Sequence, residues 1–446
     1  MADPLELCRA AISAASDGEA AEAFGAWTRR TQVKARAGEI ESLTSAETRG
    51  VGVRVVRNGQ VGYAWASDPS AEEATGLLVQ AREAAEHGTA DEANVLPSPG
   101  QADGIPALFR EELAGFSAER KVALALDLER ATTSAHPDVR RVEEVAYGDA
   151  TSEIAVASTV AAGGSYRRTD CWCVVAALAE RKGEVQSGFS YRLAREPGEL
   201  PWQEAGEEAA ERAARLLGGT KPASERVAVI LDPWAAASFV GVLSSALSAE
   251  QVQKGRSLLA GLVGQEVASP GLTLIDDGRL QDGPASAPFD DEGVPTGRTP
   301  LIENGKLRGY LHNAVTARRD DTTSTGNASR PGYRGTPGVA PSNLFIEPGS
   351  DAPDALLRRA DRAVYVQDVT GVHSGANPVS GEFSVGATGL RVENGELAGA
   401  LREMTIASTI PELLKRIVAV GSDLRFVGGG IGVPTLLIEE MTVAGV

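Results

Sequence analysis

The segment from Glu225 to Gly293 constrains the fold of this chain more than any other. It opens with the apolar run Val227–Leu231, which predicts a buried strand. Asp232 follows in N-cap position and Pro233 stands at the first helical turn, so residues 234–255 are predicted to form a helix entered directly from a strand. Glycines, paired acids and a second apolar run come next. We therefore expect a strand and a helix that lead into acidic turns.

Composition and charge limit the classes of partner. The chain has 446 residues, which is long enough for two or more domains. Its 42% hydrophobic and 23% charged residues are typical of soluble globular proteins. Its formal net charge is −18 and its pI is about 4.8, a balance that repels phosphate backbones. We expect no nucleic-acid partner.

The sequence also carries no membrane signal. No run approaches the roughly 20 apolar residues that a membrane span needs, and the N-terminus lacks a basic region followed by an apolar core. Three cysteines, Cys8, Cys171 and Cys173, are too few for a disulfide framework. We expect a cytoplasmic protein with no membrane contact, and we interpret Cys171 and Cys173 as small buried hydrophobes on one strand face, not as metal ligands.

The first half alternates between helical and strand patterns. Asn58-Gly59 separates two alternating runs and predicts a hairpin, because both central residues of a type I′ turn need positive φ. Ser70 and Glu73 form a capping box that predicts a helix start. These patterns predict an α+β fold, with a helix and antiparallel-sheet domain at residues 1–221 and a β-rich domain at 222–446.

The second half contains two near-copies, at residues 301–311 and 391–401, that read LIENGKLRGYL and RVENGELAGAL. Each predicts an Asn-Gly hairpin, and either two equivalent hairpins in one sheet or shared turn chemistry alone accounts for the echo. Further on, IPELLKRIVAVGSDL predicts a helix that begins near Pro411, and PTLLIEEMTVAGV predicts a terminal strand.

The blocks of residues 225–446 resemble, in order, the C-terminal domain of the TldD/PmbA family of two-subunit metallopeptidases. They read GRSLLAGLVGQEVASP, TLIDDG, DDEGVPT, STGNASR, SGEFSVGATGLRVENGEL and VPTLLIEEMTVAG. The run RGVGVRVVRNGQVGYAWAS resembles the family's first hairpin. The resemblance implies the family's β-rich C-terminal domain.

In the family's catalytic subunit, the helix after the first strand of this domain carries an H-E-x-x-x-H zinc motif. Counted back from the shared block at Gly255, its three functional positions fall on Val240, Gly241 and Ser245. None can bind zinc or activate its water. The catalytic subunit's further cysteine ligand has no counterpart in residues 422–434.

The resemblance therefore implies the PmbA/TldE-type subunit, which holds no metal itself. We expect zinc only in a TldD-like partner, a heterodimer that degrades or matures peptides, and peptidase activity in the complex but not in this chain alone. Pairing with a second copy of itself is the other arrangement. The alternative function is that of a stand-alone, metal-free homodimer that hydrolyses a small peptide-like metabolite.

Several polar residues in the second half are candidates for other roles. Asp276-Asp277 and Asp290-Asp291-Glu292 fit either paired acids or a hard-metal site, and we favour turn carboxylates that accept backbone N–H bonds. Polar loop residues could line a substrate channel or, in the alternative, serve acid–base chemistry. The channel candidates are His312, Asn313, Asn327, His373, Asn377 and Ser380.

Overall fold

The computed structural model describes residues 3–98, 102–160 and 163–445. Its N-terminal half is one large antiparallel sheet with helices packed on it. Its strands lie in the order β3-β2-β1-β4-β5-β6. They are β1 (Ala20–Arg36), β2 (Glu39–Arg57), β3 (Gln60–Ser67), β4 (Val139–Ser158), β5 (Gly164–Arg181) and β6 (Glu184–Ala194). The helices are α1 (Pro4–Ile12), α2 (Ala71–Glu86), α3 (Glu111–Ala114), α4 (Ala118–Ala135) and α5 (Trp202–Ala214).

One motif occurs twice in this half. The order helix, three strands, helix occurs as α1-β1-β2-β3-α2 and again as α4-β4-β5-β6-α5, and the antiparallel pair β1 and β4 lies at the centre of the sheet. A glycine occupies equivalent places in the last strand of each repeat. A Cβ on Gly62 would lie 1.8 Å from the Ala81 carbonyl of α2, and one on Gly188 would lie 2.3 Å from the Ala209 carbonyl of α5. Close packing of a helix on the outer strand requires glycine at both places.

The two faces of the sheet have different partners. Odd-numbered residues of β1 such as Ala23 and Val33 pack in the two helix-covered cores. Even-numbered residues point to the other face, since side chains alternate along a strand. There Phe24 packs with Phe289 and Tyr333 of the second half. The sheet thus lies between its own helices and the C-terminal domain.

The C-terminal domain contains two further six-stranded sheets, ordered β16-β15-β14-β7-β20-β17 and β10-β9-β8-β13-β19-β18, and a small two-stranded sheet, β11-β12. The strands are β7 (Glu225–Leu231), β8 (Leu274–Asp277), β9 (Arg298–Glu303), β10 (Lys306–Leu307), β11 (Ala328–Ser329), β12 (Gly338–Val339), β13 (Leu344–Ile346), β14 (Ala363–Thr370), β15 (Glu382–Glu393), β16 (Glu396–Thr409), β17 (Ile417–Val420), β18 (Arg425–Val427), β19 (Ile431–Val433) and β20 (Leu436–Ala444). The helices are α6 (Pro233–Ala246), α7 (Ala249–Gln253), α8 (Ala314–Arg319), α9 (Pro353–Ala360), α10 (Val372–Gly375) and α11 (Ile410–Lys415).

Helix α6 fills the centre of this domain. Its buried residues Phe239 and Leu243 join one core with side chains from both large sheets, and the Phe239 and Phe383 rings stand 4.5 Å apart between centroids. Asp232 caps the helix by accepting a 2.8 Å bond from the Trp234 backbone N–H, and Pro233 is the first helical residue. The predicted entry from strand to helix is confirmed.

The predicted α+β fold is confirmed, and so are several local features. Asn58 and Gly59 adopt positive φ between β2 and β3, and Ser70 with Glu73 forms the capping box of α2. Cys171 and Cys173 are fully buried in an apolar core. In the described ranges, no helix is both long and apolar enough to cross a membrane.

Two expectations need correction, and one alternative left open by the sequence is decided. The helix predicted for residues 234–255 breaks after Ala246, because Ser248 forms a β-bridge with Leu311 before α7 begins. The helix predicted from Pro411 ends at Lys415, and the next four residues become β17, which pairs with β20. The two Asn-Gly hairpins lie in different large sheets, so shared turn chemistry accounts for their likeness.

Candidate functional site

The three positions of α6 onto which the resemblance places the zinc motif carry no good zinc-binding side chain. Val240 is 4% exposed and packs in the apolar core, and Gly241 has no side chain. The Ser245 hydroxyl donates to the Val242 carbonyl of its own helix at 3.1 Å. A neutral hydroxyl is a poor ligand for Zn²⁺, which takes thiolate, imidazole or carboxylate. The residues present at these positions do not fit zinc.

The cysteines offer no substitute ligands near α6. All three lie in the N-terminal half, in buried positions without a disulfide. Burial raises the pKa of the Cys8 and Cys171 thiols well above their ordinary value and that of Cys173 to about 12. Thiols in such surroundings stay protonated, whereas metals bind the thiolate. Across the described residues, no three His, Cys, Asp or Glu side chains are grouped so as to hold a metal ion.

Three of the channel candidates share one polar cluster. His312, Asn313 and Asn327 are all buried, and the Thr325 hydroxyl lies within hydrogen-bond distance of both the His312 carbonyl, at 3.2 Å, and the Asn327 Oδ1, at 2.6 Å. Asn313 caps α8, since its Oδ1 accepts from the Thr316 N–H at 2.9 Å. Asn327 and Asn313 therefore have internal partners that account for their burial.

His312 differs from its neighbours in the cluster. Its Nδ1 is buried without a hydrogen-bond partner, as is the Oγ of Ser248, the residue that bridges to Leu311 at the end of α6. Burial lowers the pKa of His312, and the charge of Asp320 opposes this shift. The imidazole is thus held neutral beside the helix that carries the motif positions.

The other candidates lie elsewhere. His373, Asn377 and Ser380 are exposed in and after α10, and the Asn377 Oδ1 accepts from the Val379 and Ser380 N–H groups at 2.9 and 3.2 Å. These bonds describe an Asx turn that stabilises the loop. The structure does not bring this turn into the cluster that holds His312.

Asp277 and Asp290 accept backbone N–H bonds at turns, as favoured from the sequence. Asp276 lies within β8 and accepts from residues that are distant in the sequence. Asp290 accepts three backbone N–H bonds, from Glu292, Val294 and Ala328, at 2.9 to 3.0 Å. Asp276 accepts from the Ser342 N–H at 2.7 Å. Burial raises the pKa of Asp276 to about 6 and that of Asp290 to about 8, and the backbone donors oppose the rise in each case.

Glu292 has a different role, which the sequence did not reveal. Its Oε1 accepts from Arg54 of β2 at 2.8 Å, and Arg54 also donates to Glu22 of β1 at 2.9 Å. Arg330 pairs with Glu22 from the other side. These four side chains, at most 5% exposed, form what we call the interdomain charge cluster. Its members are 308 positions apart at the extreme, so no local spacing could have signalled it.

The cluster has a direct link to the candidate loop. The Glu292 Oε2 accepts from the Ala314 N–H, the first residue of α8, at 3.0 Å. A carboxylate at a helix N-terminus accepts a hydrogen bond from a backbone N–H that has no partner within the helix, and its negative charge interacts favourably with the helix dipole. The N-terminal sheet, the acidic turn and the loop of His312 and Asn313 are therefore held together by one buried residue.

A groove opens beside this contact, between the two halves of the chain. Its volume is about 970 Å³. Phe289 and Pro288 contribute from the C-terminal domain, and Tyr166 and Arg167 from β5. The connection before α3 supplies further apolar side chains, including Phe109. The groove combines apolar walls with few charges, as sites for organic ligands do.

Family models match most of the chain. The PmbA/TldA metallopeptidase C-terminal domain covers residues 224–445, domain 1 of the same family covers 21–85, and its central domain covers 111–217. The two matches to the N-terminal half fall on the two copies of the repeated motif. One covers nearly all of the segment from β1 to α2, and the other covers the segment from α3 to α5.

Relatives of known name are similar over nearly their full length. A metalloprotease of Methanothermobacter thermautotrophicus is 28% identical over 423 residues, which is 91% of this chain and 88% of the relative. Metalloprotease PmbA of Escherichia coli O157:H7 is 27% identical over 446 residues, 97% of this chain and 93% of the relative.

A solved structure agrees. The crystal structure of a proposed modulator of a DNA gyrase from Thermotoga maritima superposes with a TM-score of 0.90 at 29% identity, and the match covers 98% of both chains. The metalloprotease names of the relatives and the metallopeptidase family models agree on a peptidase-like family role. The chain belongs to the PmbA/TldD metallopeptidase family.

Proposed function

We propose that this chain is the non-zinc subunit of a two-subunit metallopeptidase of the PmbA/TldD family. The observation that carries the proposal is the helix α6, which keeps its capped start and its place in the core while its motif positions hold Val240, Gly241 and Ser245. Zinc and the activated water would come from a TldD-like partner. This chain would supply a wall of the chamber that holds the peptide substrate.

Retention of the whole architecture supports a working subunit. The family domains are present from residue 21 to 445, and the interdomain charge cluster fixes the two halves against each other. Buried charges are costly unless each has a partner, and every member of this cluster has one. Its three unpaired cysteines support placing the complex in the reducing cytoplasm.

A second candidate function is the metal-free homodimer that hydrolyses a small peptide-like metabolite. The observation that favours it is His312, a buried neutral imidazole with an unpartnered Nδ1. Such a group could act as a general base. The other histidine of this alternative, His373, lies exposed in a separate turn with Asn377, so the candidate residues do not converge on one site.

Reconstitution distinguishes the two candidates. The chain, a zinc-motif relative from the same family and their equimolar mixture are each incubated with an unstructured peptide, and cleavage is followed by mass spectrometry. The proposal expects cleavage by the mixture, none by this chain alone, and loss of cleavage when zinc is chelated. Chelator-resistant hydrolysis by the purified chain, abolished by His312→Ala but not by His373→Ala, would support the homodimer instead.

A further inference from the structure

A second cavity lies where the outer strand β6 meets the C-terminal domain. Its volume is about 350 Å³, and it shares no lining residue with the groove between the two halves. Tyr191 and Leu193 line it from β6, Trp234 from the start of α6 and Phe426 from β18. This volume is at the lower end of the range for cavities that hold small organic ligands.

Aromatic contacts hold two of the apolar walls in place. The Trp234 ring packs edge to face with the Phe189 ring, with 5.1 Å between centroids. The Phe426 ring packs on the Phe345 ring in the same way at 6.0 Å. Aromatic pairs in this arrangement attract each other beyond the effect of the area that they bury. The apolar part of the cavity is thus formed before any ligand arrives.

Two side chains at the cavity have hydrogen-bond donors to spare. The Trp234 Nε1 is buried, and no described residue accepts a hydrogen bond from it. The Arg425 side chain is 42% exposed, and its guanidinium pairs with Glu208 alone in the described part of the chain, which leaves further N–H groups free. A buried donor without an acceptor needs a water or a ligand group to supply one. Both side chains favour an anionic acceptor such as a carboxylate.

Two carboxylates line the same cavity. Glu204 lies on α5 and Asp282 in the loop after β8, and both residues are exposed. Neither forms a salt bridge with any described residue, whereas Glu208 is shared between Arg192 and Arg425. A carboxylate without a cationic partner attracts a positively charged group. The cavity thus offers acceptors for an ammonium as well as donors for a carboxylate.

A ligand with only one kind of charge does not satisfy both sets of groups. An isolated anion would be repelled by Glu204 and Asp282. An isolated cation would be repelled by Arg425 and would leave the Trp234 N–H without an acceptor. An internal segment of a peptide carries neither charge. These observations favour a small zwitterion with an apolar side chain.

We propose that this cavity binds a free amino acid or dipeptide. The carboxylate of the ligand accepts from Trp234 and Arg425, and its ammonium lies beside Glu204 and Asp282. Its side chain packs on the aromatic walls. The inference goes beyond the proposed function, because the cavity lies within this chain and needs neither zinc nor a partner. Amino acids and dipeptides are the class of product that peptidases release.

Isothermal titration of the lone full-length chain with matched phenylalanine derivatives tests the charges of the ligand. Phenylalanine carries both charges, N-acetylphenylalanine and phenylalaninamide each lack one, and N-acetylphenylalaninamide lacks both. We expect each blocked charge to weaken binding about tenfold, because hydrogen bonds to charged groups are the stronger ones. Glycylphenylalanine tests the longer ligand, and binding of either zwitterion supports the site. No heat from either zwitterion, or equal affinity for the doubly blocked compound, would overturn the proposal.

Variants test where the ligand lies. Trp234→Phe keeps an aromatic ring but removes the N–H, so we expect phenylalanine to bind about tenfold more weakly. The double variant Glu204→Gln with Asp282→Asn should weaken phenylalanine by a similar factor. It should not weaken N-acetylphenylalanine, because the acetylated compound has no ammonium.

The matched control is the double variant Glu207→Gln with Asp361→Asn. Glu207 is exposed on the same helix as Glu204, and Asp361 is exposed with a φ of 56°, close to the 59° of Asp282, but neither lines the cavity. Melting temperatures verify that each variant is folded. Equal affinity of the two double variants for phenylalanine would overturn the placement. Because every measurement uses the lone chain, such a failure is distinct from a failure of the complex to cleave peptide.

Discussion

At the scale of single residues, the interdomain charge cluster carries the strongest prediction. Glu292→Ala leaves Arg54 buried without one of its two carboxylates and removes the acceptor for the Ala314 N–H. Removing one partner of a buried pair typically costs about 3–5 kcal/mol. We expect a loss of that order in the free energy of unfolding, measured by denaturant titration.

The control for this variant is Glu347→Ala. Glu347 pairs with Arg298 at 3.4 Å, but both side chains are 52% exposed. Exposed pairs contribute little because water screens them. The two variants remove the same group from a carboxylate and arginine pair, so similar effects on stability would contradict the role assigned to the buried cluster.

His312 predicts a pH dependence. Its folded pKa is lowered by burial, whereas the unfolded chain takes up the proton near the ordinary value of 6.5. Protonation therefore favours the unfolded state, and this contribution to stability, present above 6.5, is lost as pH falls through the lowered folded pKa. We expect His312→Gln to flatten the fall in melting temperature from neutral to acidic pH. Because His373 is exposed, His373→Gln should keep the wild-type dependence of melting temperature on pH. If His373→Gln flattens this dependence and His312→Gln does not, the assignment to His312 is wrong.

At the scale of elements, the two repeats of the N-terminal half predict a matched pair of defects. Gly62→Ala and Gly188→Ala each place a methyl against a helix carbonyl, at 1.8 and 2.3 Å, so the helix must move away. We expect each to lower stability by about 1–3 kcal/mol. Gly76→Ala in α2 meets no atom within 4 Å and should raise stability by up to about 1 kcal/mol. Differential scanning calorimetry compares the three, and a neutral effect at Gly62 or Gly188 would refute the close packing.

The packing of α6 explains why zinc ligands cannot simply be introduced on this helix. Val240→His places a larger polar ring in an apolar core without a partner, at a cost of about 2 kcal/mol or more. Gly241→Ala is the control on the same helix, because a Cβ there meets nothing within 4 Å. We expect a lower melting temperature for the first variant and an unchanged or higher one for the second. A stable Val240→His protein that binds zinc would contradict this expectation, because it would show that α6 can accept a zinc ligand at this position.

The same element shows how far sequence reasoning reaches. The cap at Asp232, the proline start and the Asn-Gly turns were predictable, because each depends on residues within a few positions of one another. The end of α6 was not, since Ser248 leaves the helix to bridge with Leu311, which is 63 positions away. Local propensity cannot report a competing partner that only the fold brings close.

The residues of the candidate site also fall into two groups, those that local sequence predicts and those that only the fold brings together. Carboxylates at turns, such as Asp290, were predicted from their neighbouring glycines and are confirmed. The separation of His312 from His373 and the pairing of Glu22 with Arg330 depend on how sheets stack. Residue types alone suggested which side chains were polar and available, but not which of them meet.

At the scale of the whole molecule, two halves are joined at several buried polar contacts. Besides the interdomain charge cluster, Arg212 of α5 donates to Asp232, the cap of α6, at 2.9 Å. Arg168 of β5 donates to the Pro284 carbonyl. These contacts connect the N-terminal half to Pro284, to Glu292 and to the start of α6. The two halves are therefore joined by buried polar contacts at separate places.

We propose that zinc is bound by a partner subunit and not by this chain. The most direct measurement is native mass spectrometry, with elemental analysis of zinc, on this chain alone and after co-expression with a zinc-motif relative. We expect no stoichiometric zinc in the lone chain. We expect co-expression to give a one-to-one heterodimer that carries one zinc and loses it when the partner's motif is mutated. Stoichiometric zinc in the lone chain, or zinc that stays on this chain after the partner is removed from the complex, would contradict this proposal.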